Sequence, residues 1–240
     1  MSTRPFVWAH RGASHDAPEN TLAAFLLAEQ AGADGLELDV HLSADGVPVV
    51  IHDETLDRTT DAAGPVAAWT REQLRDVDAG GWFSPRFAGE TIPALDEVFK
   101  VFGDRLRINI EIKAPRAGEA VLATLVDFPL ADVVVSSFDQ KLLRIMRQLD
   151  ADLPLAVLHD RGPWRAGIKL AVDIGATAFH PEVSLVSRPL IETCRAHGLP
   201  VHVWTVDDTR VGRSLCRAGI DGLFTNDPAR FRRSGRLCSA

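Results

Sequence analysis

The stretch Arg107–Phe138, RINIEIKAPRAGEAVLATLVDFPLADVVVSSF, reads as a strand over 107–112, a helix over 117–127 and a second strand over 132–136. A strand, a crossover helix and another strand imply parallel pairing, because two parallel strands cannot be joined by a tight turn. The same alternation extends outward in both directions. Downstream come a helix at 139–149, a strand at 154–158, a helix at 163–173, a strand at 176–179, a helix at 187–197, a strand at 200–204, a helix at 207–217, a strand at 221–224 and a short helix from Pro228. Upstream lie a strand at 6–9, a helix at 20–31 stopped by Gly32, a strand at 34–39 and a helix at 94–102. Eight strand–helix units in 240 residues favour an α/β fold of the TIM (β/α)8 barrel type over an open doubly wound sheet.

One segment breaks the alternation. Residues 40–51 read as an extended ribbon turning at Asp45-Gly46. From about 53 to 91 the chain is rich in Gly and Pro and carries one short helix, started by Thr70 with Gln73 three residues later. We read 1–240 as a single domain and 53–91 as a small insertion after the second strand, too short to hold its own core.

Charged groups collect where the strands run out: His10-Arg11-Gly12, Glu37-x-Asp39, His52-Asp53, Glu111-x-Lys113 and Trp204-x-x-Asp207. In a parallel barrel those ends share one rim, the rim that carries chemistry. Glu37 and Asp39, two apart on a strand, share a face, and two carboxylates side by side repel unless a cation sits between them. With Glu111 they make an all-oxygen donor set suited to one divalent ion, Mg²⁺ or Ca²⁺. His10 and His52 are an expected acid–base pair. Arg11 and Lys113 are expected phosphate-binding cations, and Trp204 either packs against a small polyol or plugs the rim. His15, His41, His159, His197 and His202 are expected structural residues, with His180 left open.

Composition bounds the rest. At 46% apolar the chain can bury a full core, and a net charge of −7 argues against a nucleic-acid partner. The sequence shows no signal-peptide pattern and no run of about 18 apolar residues, so a cytoplasmic protein without integral membrane association is expected. Cys194, Cys216 and Cys238 show neither metal spacing nor a disulfide framework and read as reduced thiols.

His10-Arg11-Gly12, Pro18-Glu19-Asn20-Thr21, Glu37-Leu38-Asp39-Val40, His52-Asp53, Glu111-Ile112-Lys113, Ser137-Phe138-Asp139 and Val203-Trp204-Thr205-Val206 together resemble the glycerophosphodiester phosphodiesterase family. Seven motifs in register are specific where each alone is weak. The segment Ala79–Pro93 resembles that family's insertion, and Thr225-Asn226-Asp227-Pro228 its ending. The resemblance implies a TIM barrel that hydrolyses small glycerophosphodiesters, such as glycerophosphocholine or glycerophosphoethanolamine, to sn-glycerol 3-phosphate and an alcohol. It assigns His10 and His52 to acid–base work, Glu37, Asp39 and Glu111 to the cation, and Arg11 and Lys113 to the phosphate. Glu19 and Asn20 read as supporting residues, with Asn20 or Thr21 capping the helix. Rival readings are lysophospholipase D-like or sphingomyelinase D-like cleavage of lipid phosphodiesters, a non-catalytic phosphodiester-binding barrel, and a metal-dependent isomerase or lyase. In the first, Trp82, Phe83 and Phe87 either receive an acyl chain or pin the insertion to the barrel.

Overall fold

Runs of β-branched and aliphatic residues form the strands β1 (Phe6–His10), β2 (Gly35–Leu42), β3 (Pro48–Val50), β4 (Arg107–Ile112), β5 (Val133–Ser137), β6 (Leu155–His159), β7 (Ala178–Pro181), β8 (His202–Val203) and β9 (Gly222–Thr225). The helices are α1 (Leu22–Gln30), α2 (Arg71–Leu74), α3 (Leu95–Phe102), α4 (Ala117–Val126), α5 (Gln140–Leu149), α6 (Trp164–Asp173), α7 (Arg188–Ala196), α8 (Thr209–Ala218) and α9 (Pro228–Arg233). The structure, a computed structural model, describes residues 4–233.

The parallel strands follow the order β7-β6-β5-β4-β2-β1-β9-β8, with β3 pairing antiparallel onto β2. Single bridges, Phe179 to Val201 and Glu182 to Trp204, bring β8 back against β7 and complete the ring. The expected barrel is therefore present. Its eighth junction is made of isolated bridges because β8 is only His202–Val203, and Pro200 before it has no N–H to give to a ladder.

Side chains sort by the two-residue period of the strands. On β4, Ile108, Ile110 and Ile112 join the main core with Leu36, Leu38 and Val40 of β2. Arg107, Asn109 and Glu111 take the opposite face, toward the barrel interior. That interior is tight: a Cβ on Gly35 would lie 2.6 Å from the Trp8 ring and 2.7 Å from the Arg107 carbonyl oxygen. Only glycine leaves Trp8 its place there.

The segment from 53 to 91 shares its apolar side chains with the neighbouring elements. It does gather an apolar cluster, Leu56, Val66, Leu74, Val77 and Ala79, completed by Val49, Ile51 and Ile92. The segment lacks the length to enclose this cluster alone, so it borrows side chains from the end of β3 and from the approach to α3. Within it, Thr70 and Gln73 make the expected reciprocal cap of α2. At α1 the cap is Thr21, whose Oγ1 accepts from Ala24 N, while Asn20 is drawn to Asp39 instead. Cys194 is free and buried. Cys238 lies outside the described residues. Among the described residues, no helix is long and apolar enough to cross a membrane.

Candidate active site

β1 ends at His10, and the chain then turns through two left-handed residues, Arg11 at φ 58° and Gly12 at φ 82°. A Cβ on Gly12 would meet Ala24 at 2.7 Å, so this turn requires glycine. Arg11 bears a conformation that is uncommon for a residue with a side chain. Its partners hold it there: its N–H donates to Glu37 Oε2 at 2.9 Å, and its guanidinium reaches Glu19 at 2.9 Å and Asp39 at 3.2 Å. Burial opposes the Arg11 charge, but Asp39, Glu19 and Glu37 outweigh it and raise its pKa.

His10 lies between two polar neighbours. Asn226 donates its Nδ2 to Asp207 at 2.7 Å, which leaves its Oδ1 to accept from Ser14 Oγ at 2.9 Å and from His10 Nδ1 at 2.8 Å. His10 Nδ1 therefore carries the hydrogen, and Nε2 points toward Glu37 at 3.9 Å. Burial, then Arg11, lowers the His10 pKa to about 4.

Strand register assembles the carboxylates. His10 is paired with Glu37 across β1 and β2, and Asp39 with Glu111 across β2 and β4. One oxygen from each of Glu37, Asp39 and Glu111 lies within 4.8 Å of the others, and all three residues are buried. Burial and the neighbouring carboxylates push Glu37 well above the usual carboxylate range and Glu111 to about 7. Asp39 is held low, because Arg11, Lys113 and His52 outweigh its burial. Asp39 Oδ1 accepts no hydrogen bond and has Lys113 Nζ 3.6 Å away. Three crowded, buried oxygen donors with an unsatisfied acceptor among them fit a hard divalent cation.

Lys113 and His52 close the other side. Lys113 Nζ donates to Glu111 Oε1 at 2.7 Å and lies 3.2 Å from His52 Nε2. Asp53 Oδ1 sits 2.6 Å from His52 Nδ1, and the backbone oxygen of His52 contacts His41 Nε2 at 3.0 Å. A cavity of about 200 Å³ is lined by His10, Arg11, Glu37, His52, Glu111 and Lys113, with Phe138 and Trp204 on its apolar side. The Trp204 indole donates to the His180 carbonyl oxygen at 2.8 Å and stands edge-on to Phe138 at 5.6 Å.

All eight residues expected from the sequence thus come together. Three polar residues beside them, Asn109, Asn226 and Asp207, had been given no role. Asn109, which lines the same cavity and donates to Ser136 Oγ at 3.0 Å, lies two residues before Glu111 and was legible from that spacing. Asn226 and Asp207 had no local signal for a bond to His10. His202 is structural as expected, accepting from Trp8 Nε1 at 2.9 Å. His180, left open by the sequence, is fully buried with neither ring nitrogen hydrogen-bonded and stacks on His202 at 5.4 Å.

Comparison with known proteins agrees with this geometry. Residues 10–230 match the Glycerophosphoryl diester phosphodiesterase family. The chain is similar to a glycerophosphodiester phosphodiesterase of Caldanaerobacter subterraneus, 39% identical over 235 residues, covering 94% of this chain and 95% of that one. It is 36% identical to glycerophosphodiester phosphodiesterase 1 of Homo sapiens, over 83% of this chain and 71% of the human one. Among solved structures, a phosphodiesterase from Oleispira antarctica in complex with the product sn-glycerol-3-phosphate is similar at a TM-score of 0.89 and 30% identity, covering 96% of each chain. A glycerophosphodiester phosphodiesterase from Agrobacterium tumefaciens is similar at 0.85 and 33% identity, covering 95% of this chain and 99% of that one.

Proposed function

We propose a reaction for this chain, which belongs to the Glycerophosphoryl diester phosphodiesterase family and is a phosphoric diester hydrolase. It hydrolyses glycerophosphodiesters, with glycerophosphocholine and glycerophosphoethanolamine as the expected class, to sn-glycerol 3-phosphate and the free alcohol. One observation carries the finer reading: a small cavity is lined by two carboxylates, Glu37 and Glu111, two histidines and two cations, and Asp39 is clustered with those carboxylates.

Glu37, Asp39 and Glu111 would hold one divalent ion, Mg²⁺ or Ca²⁺. Such an ion neutralises charge that builds on the phosphoryl oxygens. Arg11 and Lys113 hold the phosphate from the other sides and stabilise the same developing charge. Each histidine has its Nδ1 engaged, so proton transfer falls to Nε2, which lies toward Glu37 in His10 and beside Lys113 in His52. One takes the proton from the attacking hydroxyl as the new P–O bond forms; the other gives a proton to the alcohol oxygen as the old P–O bond breaks. The attacking hydroxyl is either the glycerol 2-hydroxyl, giving a cyclic phosphate that water then opens, or water itself; a 2-deoxyglycerol analogue, inert on the first route and cleaved on the second, separates them. Trp204 and Phe138 face the carbon skeleton of the glycerol. The cavity lies below the roughly 300 Å³ at which sites for drug-sized ligands begin, which favours a small polyol phosphate over an acyl chain.

The expected cytoplasmic location belongs to this reading. Release of glycerol 3-phosphate from glycerophosphocholine by chelator-stripped protein, with Mg²⁺ or Ca²⁺ restored separately, tests the reaction. We expect release only with a cation present. Cleavage of lysophosphatidylcholine alone would move the substrate class to lipids, and no release from either would leave a binding protein.

A further inference from the structure

Arg58 belongs to the segment between β3 and α3, outside the set of residues that line the cavity. Its guanidinium nonetheless makes two double contacts. Toward Glu19, Nη1 donates to Oε2 at 2.9 Å and Nη2 to Oε1 at 2.8 Å. Toward Asp53, Nε donates to Oδ2 at 2.6 Å and Nη2 to Oδ1 at 3.0 Å. Both carboxylates then reach the site. Glu19 Oε1 accepts from Arg11 Nη1 at 2.9 Å, and Asp53 Oδ1 sits 2.6 Å from His52 Nδ1.

We propose that Arg58 is a positioning residue of the reaction, orienting the phosphate-binding Arg11 through Glu19 and the proton-transferring His52 through Asp53. The proposal rests on the function given above. The contacts form one unbroken chain, Arg11–Glu19–Arg58–Asp53–His52, that couples a substrate-holding cation to a proton-transfer group. Only a planar fork serves both ends, since a lysine ammonium offers one point charge and no second edge. An isolated surface ion pair would contribute little. Here the acceptors are mostly buried, with side-chain exposures of 14% for Glu19 and 28% for Asp53, and each is already committed to a site residue. The hydrogen bonds from Arg58 also hold Asp53 well below the usual carboxylate range, so it stays an acceptor for His52. In effect the segment after β3 fastens two side chains that come from the ends of two different strands.

The test compares wild type with R58A, R58K, D53N, E19Q and the double variants R58A/D53N and R58A/E19Q, in the presence of the activating cation on glycerophosphocholine. R58A is expected to lower kcat/KM about 10- to 100-fold, the scale of a misplaced reacting group, with its Tm close to wild type. R58K is expected to recover little of this, and guanidinium added to R58A to recover part. The kcat loss from R58A should shrink when D53N is already present, and the KM rise should shrink when E19Q is present. R58A with unchanged kcat and KM, R58K equal to wild type, or fully multiplicative double variants would overturn the proposal. If R58A does not fold, R58K and R58Q are read in the same way. If the wild type itself releases no glycerol 3-phosphate, the functional reading has failed, and proton NMR decides the positioning role alone. The His52 Nδ1–H signal should lie downfield in wild type and move in R58A; an unmoved signal overturns the proposal.

Discussion

The barrel interior buries titratable groups in two places and by two opposite means. At the rim, Asp39 lies between Arg11 and Lys113, and its charge is kept by pairing. Deeper in, His180 and His202 lie against Trp8 and Phe224, and charge is given up. Burial, then the neighbouring His202 and Arg107, drives the pKa of His180 well below its ordinary value, and burial, then Arg107, lowers His202 to about 4. The difference separates the histidines proposed for proton transfer from a packed one. His10 has Nδ1 on Asn226, and His52 has Nδ1 on Asp53 and Nε2 beside Lys113, and both line the cavity, whereas His180 has neither nitrogen hydrogen-bonded and no place in the cavity lining.

The largest effect that would break this comparison is at the rim. His10→Ala or His52→Ala should each lower kcat by at least about a hundredfold, with little change in Tm. Steady-state turnover of glycerophosphocholine checks this, and a His10→Ala protein with normal turnover would remove the functional distinction between the two places.

A smaller effect reads the two places through pH. Glu111 has an ordinary value of 4.5 and is raised to about 7. Between those values the folded protein binds more protons than the unfolded chain, so the Glu111 contribution to stability is present at low pH and lost as pH rises through about 7. In cation-free protein, Glu111→Gln should therefore gain Tm relative to wild type as pH rises from 5 to 8, by several degrees, on the order of 2–4 °C for each kcal/mol. Thermal melts in chelator across that range measure it. A constant offset between the two proteins would show that Glu111 does not carry this charge strain.

The smallest effect belongs to the deeper pair, and its sign is opposite. A histidine with a depressed folded pKa binds fewer protons than it does unfolded, so its stability contribution is lost as pH falls from about 6.5 toward 4. His180→Leu is close to volume-conserving and should cost less than about 1.5 kcal/mol at pH 8. It should leave turnover unchanged and soften the loss of Tm between pH 6.5 and 5. A large fall in turnover would move His180 into the site.

Much of the fold and of the site is legible in the amino-acid sequence alone. The alternation of short aliphatic runs with helical stretches requires parallel strands, and the number of units points to a barrel. Two-residue spacing puts Glu37 beside Asp39 and Glu111 beside Lys113, because side-chain direction in a strand depends only on residues two apart. Such local periodicity is carried by the chain itself. What tertiary structure alone decided lies across long separations. The pairing of Asp39 with Glu111, the reach of Asn226 to His10 and the fork of Arg58 between Glu19 and Asp53 join residues far apart in the chain. The same holds for His180, whose strand-end position resembles that of His10 while its surroundings strip it of partners. Register and burial follow from the packing of the whole barrel, and no short-range pattern encodes them.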